Sequence, residues 1–283
     1  MGAPYYTHTY PRQLSRLLPD LIRGRRLLWD LVWKDVKVRY RYAALGFLWA
    51  VLEPLLMMLV LTFVFSIVFR MLVPELGVDS GREYAVFVLS GLIFWQFFSN
   101  GLSTAAKSLV DNRDLIKKVY FPREVVPLAS IGVAFVNFII GFVLLLIVFA
   151  LLMQRVPFGL PWILAPLTIQ CALIVGLALI FSAGHANFRD VGYMVDAALL
   201  FLFYASPVFY WPSLVAERLS GFWYTLYSIN PMVGLLTAYR HALFLDGLPQ
   251  PSVLIWPAIF AVTVLVLGVV VFRRNAPTLA DHL

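Results

Sequence analysis

The chain has 283 residues, 61% of them hydrophobic and 13% charged, with a formal charge of +7. A soluble globular chain carries about 25% charge, so this composition, with a mean hydropathy of +0.86, excludes a water-soluble domain. Apolar runs near the roughly 20 residues that cross hydrocarbon indicate a polytopic α-helical membrane protein, and they exclude a transmembrane barrel, whose strands read as short alternating segments.

The first 44 residues carry nine Lys or Arg (Arg12, Arg16, Arg23, Arg25, Arg26, Lys34, Lys37, Arg39, Arg41) and no apolar core of the kind a cleaved signal requires, so the first span serves as the insertion signal. Leu14, Leu17, Leu18, Leu21 and Ile22 follow helical spacing. Trp29, Trp33, Val36 and Tyr40 form a second stripe beside Arg and Lys, as in helices lying in the cytoplasmic headgroup layer. Pro19 and Gly24 predict a break into two pieces. The plainer alternative is a basic anchor that only orients the first span. Residues 1–11 receive no assignment.

Six apolar segments follow, at about 45–73, 84–106, 125–153, 162–184, 194–212 and 252–272. An even number places both termini on one side. The N-terminal segment, the 107–124 and 185–193 loops and the 273–283 tail hold 17 of the 22 Lys and Arg, against five on the opposite side: Arg70, Arg82, Arg155, Arg218 and Arg240. The positive-inside rule then puts both termini in the cytoplasm, and topology with anionic lipid accounts for the basic balance without nucleic acid.

Within the spans, Glu53 directly precedes Pro54 and Asp196 lies near the cytoplasmic start of the fifth. Each costs about 2.5–3.5 kcal/mol if it faces lipid at mid-bilayer. Glu53 is expected to face a helix interface or an aqueous cavity, either steadying the Pro kink or serving substrate passage. Cys171, the lone cysteine, reads as membrane filler.

The cytoplasmic loop between spans two and three predicts a short helix at about 111–120. Asp111 caps it, Asp114 sits in its first turn, and Lys117 and Lys118 lie at its end before Pro122. Leu115, Ile116, Val119 and Tyr120 would offer a small apolar face, either to a partner's groove or to the chain's own headgroup layer.

Aromatics are dense toward the other side: ten of the 27 residues from Phe201 to Tyr227 are Phe, Tyr or Trp. Phe201, Tyr204, Val208 and Trp211 are predicted on one face of span five, with Tyr210, Trp223, Tyr224 and Tyr227 continuing outward. Such rings suit the apolar face and hydroxyl rim of sugars; an interfacial aromatic belt is the alternative. The apolar pieces Phe222–Ile229 and Met232–Leu245 are each too short to cross. With the Asn230-Pro231 turn between them they predict a re-entrant helical hairpin at about 221–245, stable at membrane depth only beside protein or a water-filled cavity.

Catalytic chemistry is thin. None of the five lysines follows a glycine, so the phosphate-cradling GxxxxGK[ST] loop is missing. His8, His185, His241 and His282 have no partner at i+4, and Asp111, Asp114 and Glu124 come nearest to an acidic metal cluster. No catalytic, cofactor-binding or metal residue is assigned, and the chain is not expected to be an enzyme.

Leu45-Gly46-Phe47-Leu48-Trp49-Ala50-Val51-Leu52-Glu53-Pro54 after a basic N-terminal helix, then Asn187-Phe188-Arg189-Asp190-Val191, Ser206-Pro207-Val208-Phe209-Tyr210 and Asn230-Pro231-Met232, resemble the membrane subunits of ABC-2 type polysaccharide exporters. The resemblance covers nearly the whole chain and includes the O-antigen, capsule and teichoic-acid permeases. It implies a homodimer of six-helix subunits, with ATP and Mg bound by two separate ATPase subunits. It also implies that the 111–120 helix is the coupling helix, that Phe222–Phe244 form extracellular re-entrant gate helices, and that an aromatic conduit carries a lipid-linked glycan. The expected substrate is an undecaprenyl-diphosphate-linked polysaccharide crossing a bacterial inner membrane, with Arg23, Arg25, Arg26, Lys37, Arg39 and Arg41 as the basic rim for the diphosphate. The alternatives are an ABC-2 exporter of small lipophilic compounds and a membrane-embedded glycosyltransferase. The Glu53-Pro54 pair is closer to the capsule branch, and the Phe188-Arg189-Asp190 and Ser206-Pro207 strings to the O-antigen branch.

Overall fold

The computed structural model describes residues 17–41, 48–70, 80–119 and 121–277, with the side chains of 24–38 in the first of these segments. Among the described residues, regular structure is helical throughout.

Helix α1 (Leu17–Arg41) is continuous, not two pieces. Pro19 falls in its first turn, where an N–H has no intrahelical acceptor to lose. Gly24 remains helical because its bare face meets the start of α5: an ideal Cβ there would lie 3.0 Å from Val125 Cγ2. Leu31 and Val32 are buried, whereas Trp29, Trp33 and Val38 are exposed, which gives the expected amphipathic helix.

Helix α2 (Trp49–Thr62) runs directly into a π-helical turn, Phe63–Val68, an interruption that the apolar pattern does not reveal. Helix α3 (Gly81–Asp111) is the central post of the molecule. Its first turn is fixed by a capping box in which Ser80 N–H donates to Glu83 Oε2 at 2.8 Å and Glu83 N–H donates to Ser80 Oγ at 3.4 Å. The 3₁₀ turn Leu160–Ile163 leads from α5 (Val125–Met153) into α6 (Leu164–Asn187). After the short α4 (Arg113–Lys118) and the later α7 (Asp190–Ala205), α8 (Pro212–Arg218), α9 (Phe222–Ile229) and α10 (Pro231–Phe244), α11 (Pro251–Asn275) closes the fold.

Among the described residues, five helical stretches are long and apolar enough to cross a bilayer: Trp49–Val68, Gly81–Asp111, Val125–Met153, Leu160–Asn187 and Pro251–Asn275. The segment expected at 194–212 differs. Helix α7 ends at Ala205, and its 16 residues rise about 24 Å, short of a hydrocarbon core of about 30 Å. Ser206-Pro207 stops it, since proline has no N–H to continue the ladder. Residues 206–211 follow it in non-helical conformation.

Helices α6 and α11 cross backbone against backbone. An ideal Cβ on Gly268 would lie 2.3 Å from the Gly176 carbonyl oxygen, and one on Gly176 would lie 2.6 Å from Leu265 N, the close approach that small residues allow between membrane helices. Elsewhere the core is aromatic: Phe94 stacks on Tyr239 at 3.6 Å. Tyr239 Oη donates to Gln170 Oε1 at 2.7 Å and Gln170 Nε2 donates to the Phe94 carbonyl at 2.9 Å, tying α10, α6 and α3 together.

Both the first and the last described helices reach the same, basic end, where Leu31, Val32, Ile116, Phe121, Val125, Phe272 and Ala276 share one apolar cluster. Beside it Glu124 and Arg273 form an ion pair at 3.3 Å, each 3% exposed, and Arg123 donates to the Ala276 carbonyl. At the opposite end Arg155 pairs with Asp246 at 2.5 Å.

Candidate translocation surface

After α7 the backbone leaves helical structure over residues 206–211, and every carbonyl from Tyr204 to Tyr210 nevertheless has a donor. Tyr210 Oη serves Tyr204 at 3.2 Å, Asn230 Nδ2 serves Ala205 at 3.3 Å, and Val208 N–H serves Ser206 at 2.7 Å. Arg240 serves Pro207, Val208 at 2.5 Å and Tyr210 at 3.4 Å; Tyr84 Oη serves Phe209 at 2.5 Å. Non-helical backbone survives at membrane depth only when it is satisfied in this way.

Arg240 is the organising residue. It is fully buried on α10, its guanidinium lies 3.6 Å from the centroid of the Phe87 ring, and it also donates to the Phe87 carbonyl at 3.3 Å. Gly91 on α3 makes room: an ideal Cβ there would sit 2.2 Å from the Val208 oxygen and 2.6 Å from Arg240 Nη2. Arg240, expected among the charges of the side opposite the termini, is buried within α10 instead. Its place inside an apolar helical piece beside Tyr239 was the available signal, because a cation among apolar residues needs acceptors nearby.

The aromatic residues of the sequence divide into two groups. Phe201 and Tyr204 are exposed on α7 together with Tyr193 and Leu200. Val208 and Trp211 do not continue that face, because the helix has ended: Val208 is fully buried, and Trp211 turns inward, 6.4 Å from the Phe87 ring and 6.0 Å from His241. Tyr210 is half-buried and leads to Tyr227 at 6.5 Å, which in turn lies 6.4 Å from Tyr224. Trp223 is exposed on α9, a helix with no buried residue, whereas most of α10 is buried. The predicted helix, turn and helix are present, with Asn230 Oδ1 capping Met232 N at 3.0 Å, but the two arms differ in kind.

Asp196 is satisfied. Ser103 Oγ donates to Oδ1 at 2.6 Å and Lys107 Nζ to Oδ2 at 2.5 Å. Gly192 lets Lys107 and His185 come close to α7. Lys107, expected in the 107–124 loop, belongs to α3. Glu53 is exposed on α2, whose apolar window is only 11% buried.

At the basic end α4 is six residues long, with Asn112 at its N-terminus and Asp111 as the last residue of α3. Ile116 is buried in the chain's own cluster and faces inward, and Leu115, packed beside it, is half-buried; Asp114 and Val119 are exposed. Tyr120 lies outside the described residues. Asp111, Asp114 and Glu124 do not assemble, because Glu124 is committed to Arg273. Of the basic rim, Arg25, Arg26 and Lys37 are exposed along α1, and the side chains of Arg23, Arg39 and Arg41 lie outside the described residues.

Comparison with known proteins accords with this architecture. Residues 26–244 match the family model described as ABC-2 type transporter. The O-antigen export system permease protein RfbA of Myxococcus xanthus is 32% identical over 270 residues, covering 95% of this chain and 100% of that protein. An O-antigen export system permease protein RfbA of Klebsiella pneumoniae is 31% identical over 217 residues, 76% of this chain and 78% of that protein. The polysialic acid transport protein KpsM of Escherichia coli is 23% identical over 246 residues, 86% of this chain and 90% of that protein. A match over that much of the sequence, on an all-helical membrane fold, means that the chain belongs to the ABC-2 type transporter family.

Proposed function

We propose that this chain is the permease subunit of an ATP-driven exporter of a lipid-linked cell-surface polysaccharide. The observation that carries the reading is the exposed aromatic face of α7, which passes through the Arg240-held turn to Tyr210, Tyr227 and the bare helix α9. Rings spaced along a surface can hold the apolar faces of successive sugars without binding any one tightly. The names of the relatives, O-antigen export permeases and a polysialic acid transport protein, point to the same substrate class.

In this reading two copies face each other across α2 and α7, whose outward faces have no cover in one subunit. Both termini are cytoplasmic in a bacterial inner membrane, and the basic face of α1 meets the diphosphate of an undecaprenyl carrier. A separate pair of ATPase subunits binds ATP and Mg and docks at the basic end, against Asp114, Val119 and the neighbouring charges of α4. Motion then enters through α4, whose Ile116 shares one apolar cluster with α1, α5 and α11, and the Glu124–Arg273 pair ties the start of α5 to α11. The hairpin of α9 and α10 lies in the outer leaflet over the pathway.

The test is to purify the chain with its ATPase, seal the complex into vesicles, and follow nucleotide-dependent movement of lipid-linked glycan. Movement of the polymer supports the reading; movement of small lipophilic compounds without polymer rejects it.

A further inference from the structure

The basic-end third of α3 carries a pattern that the aromatic surface does not use. Asn100, Ser103, Thr104, Lys107, Ser108 and Asp111 recur at i, i+3, i+4, i+7, i+8 and i+11 and share one face of the helix. Ser108 is itself buried, its hydroxyl donating to the Ala105 carbonyl at 2.7 Å, as are Gly101, Leu102, Ala105, Ala106 and Leu109 on the other sides. Counting about 20 residues of hydrocarbon from Tyr84, the first apolar residue after Arg82 and Glu83, puts the boundary near Ser103. The stripe crosses it, with Asn100 about 16 Å along the axis from Asp111. Asn100 and Thr104 are exposed, and an amide directed at hydrocarbon is costly. On one flank stands Asp196 of α7, held by Ser103 and Lys107. On the other a cleft of about 480 Å³ opens toward α1 and α5, where Lys34 and Asp35 pair at 3.1 Å.

We infer that this stripe is a hydroxyl-binding track at the cytoplasmic mouth of the pathway, which receives the sugar units of the glycan before they reach the aromatic face; it rests on the export reading above. The charges select among ligands. Lys34 and Lys107 stand against Asp35, Asp111 and Asp196, so the wall has no surplus positive charge for a phosphate. Amide, hydroxyl, ammonium and carboxylate groups side by side supply both donors and acceptors, and a sugar hydroxyl is both. The stripe's length favours a chain in transit, since a lipid headgroup would stop at the boundary that Asn100 passes.

The experiment compares wild type with Asn100→Leu/Thr104→Val, each assembled with its ATPase in sealed vesicles loaded with radiolabelled lipid-linked glycan extracted from the native cells. Neither substitution touches an ion pair, and the Thr104 hydroxyl bonds only the Asn100 carbonyl of its own helix, at 2.6 Å. Thermal stability and ATPase retention stay unchanged while glycan export falls about tenfold or more. In a chain with Cys171→Ala, Asn100→Cys reacts with a charged, membrane-impermeant thiol reagent faster than Ile147→Cys on the exposed apolar face of α5, and glycan slows the reaction. Wild-type export by the double variant, or labelling no faster than at Ile147→Cys, overturns the track and leaves the export reading standing. Loss of export that follows the phosphatidylethanolamine content of the vesicles, and not the glycan, overturns it in favour of a zwitterionic headgroup site. A wild-type complex that moves no glycan defeats the export reading and the track with it.

Discussion

Arg240→Met removes the donor that holds the turn after α7 while keeping most of the aliphatic volume. Of the four carbonyls Arg240 serves, that of Phe87 retains the Ser90 hydroxyl at 2.7 Å, and that of Tyr210 is a long contact at 3.4 Å. The oxygens of Pro207 and Val208 are orphaned, at about 1–3 kcal/mol each. Losing the guanidinium from the face of Phe87 adds about 1–2 kcal/mol. Against these, the variant no longer strips water from a charge, a cost of several kcal/mol in the wild type. The net destabilisation is about 2–3 kcal/mol, concentrated in residues 206–211. Arg240→Lys is worse than methionine, because it keeps a strongly hydrated charge in the same dry site with fewer donors and no flat face for Phe87. Thermal unfolding in nanodiscs measures the total, and hydrogen exchange of residues 206–211 shows where it falls. Methionine within about 0.5 kcal/mol of wild type, with no faster exchange in that segment, would refute the assignment of Arg240 as its anchor.

Gly268→Leu drives a side chain into the Gly176 carbonyl and lowers the unfolding temperature by the equivalent of about 1–3 kcal/mol or more; a neutral result by thermal scan would mean that the crossing can spread without cost. Arg273→Met removes a charge partner of buried Glu124, at about 3–5 kcal/mol, and adding Glu124→Gln recovers most of it; failure of the double variant to recover would show that the pair contributes something other than charge balance. Asp114→Arg with Val119→Asp keeps the fold, since both residues are exposed, and lowers co-purification of the ATPase; undiminished recovery places the docking surface elsewhere. Phe201→Ala with Tyr204→Ala leaves thermal stability in place and slows glycan export; equal export at equal protein level makes these rings part of an interfacial belt.

The spans were legible because about 20 residues of hydrocarbon leave a plain mark on composition, and the Asn230-Pro231 turn because an N-cap followed by proline is a local signal. Gly24 misled because its effect is tertiary: a glycine facing the start of α5 stays helical, while the same residue read alone marks a break. Pro207 ends the helix, so the aromatic face expected to run through Val208 to Trp211 stops at Tyr204. Ile116 was assigned outward by spacing, but one face of a six-residue helix must cover the protein beneath it, and a sequence does not show which. Arg240 and Lys107 were counted as loop charges; their partners are 30 and 89 residues away at the nearest, beyond the reach of any local pattern.

The meeting of Gly176 with Gly268 has a mechanical consequence. Two rods in contact main chain to main chain, with no interleaved side chains at that point, have no soft layer in which to slip or repack, so α6 and α11 move as one strut. Displacement is left to α2 and α7, whose free flanks have no comparable clasp. A path between these elements therefore widens on the side of α2 and α7, while α6 and α11 shift together as a unit.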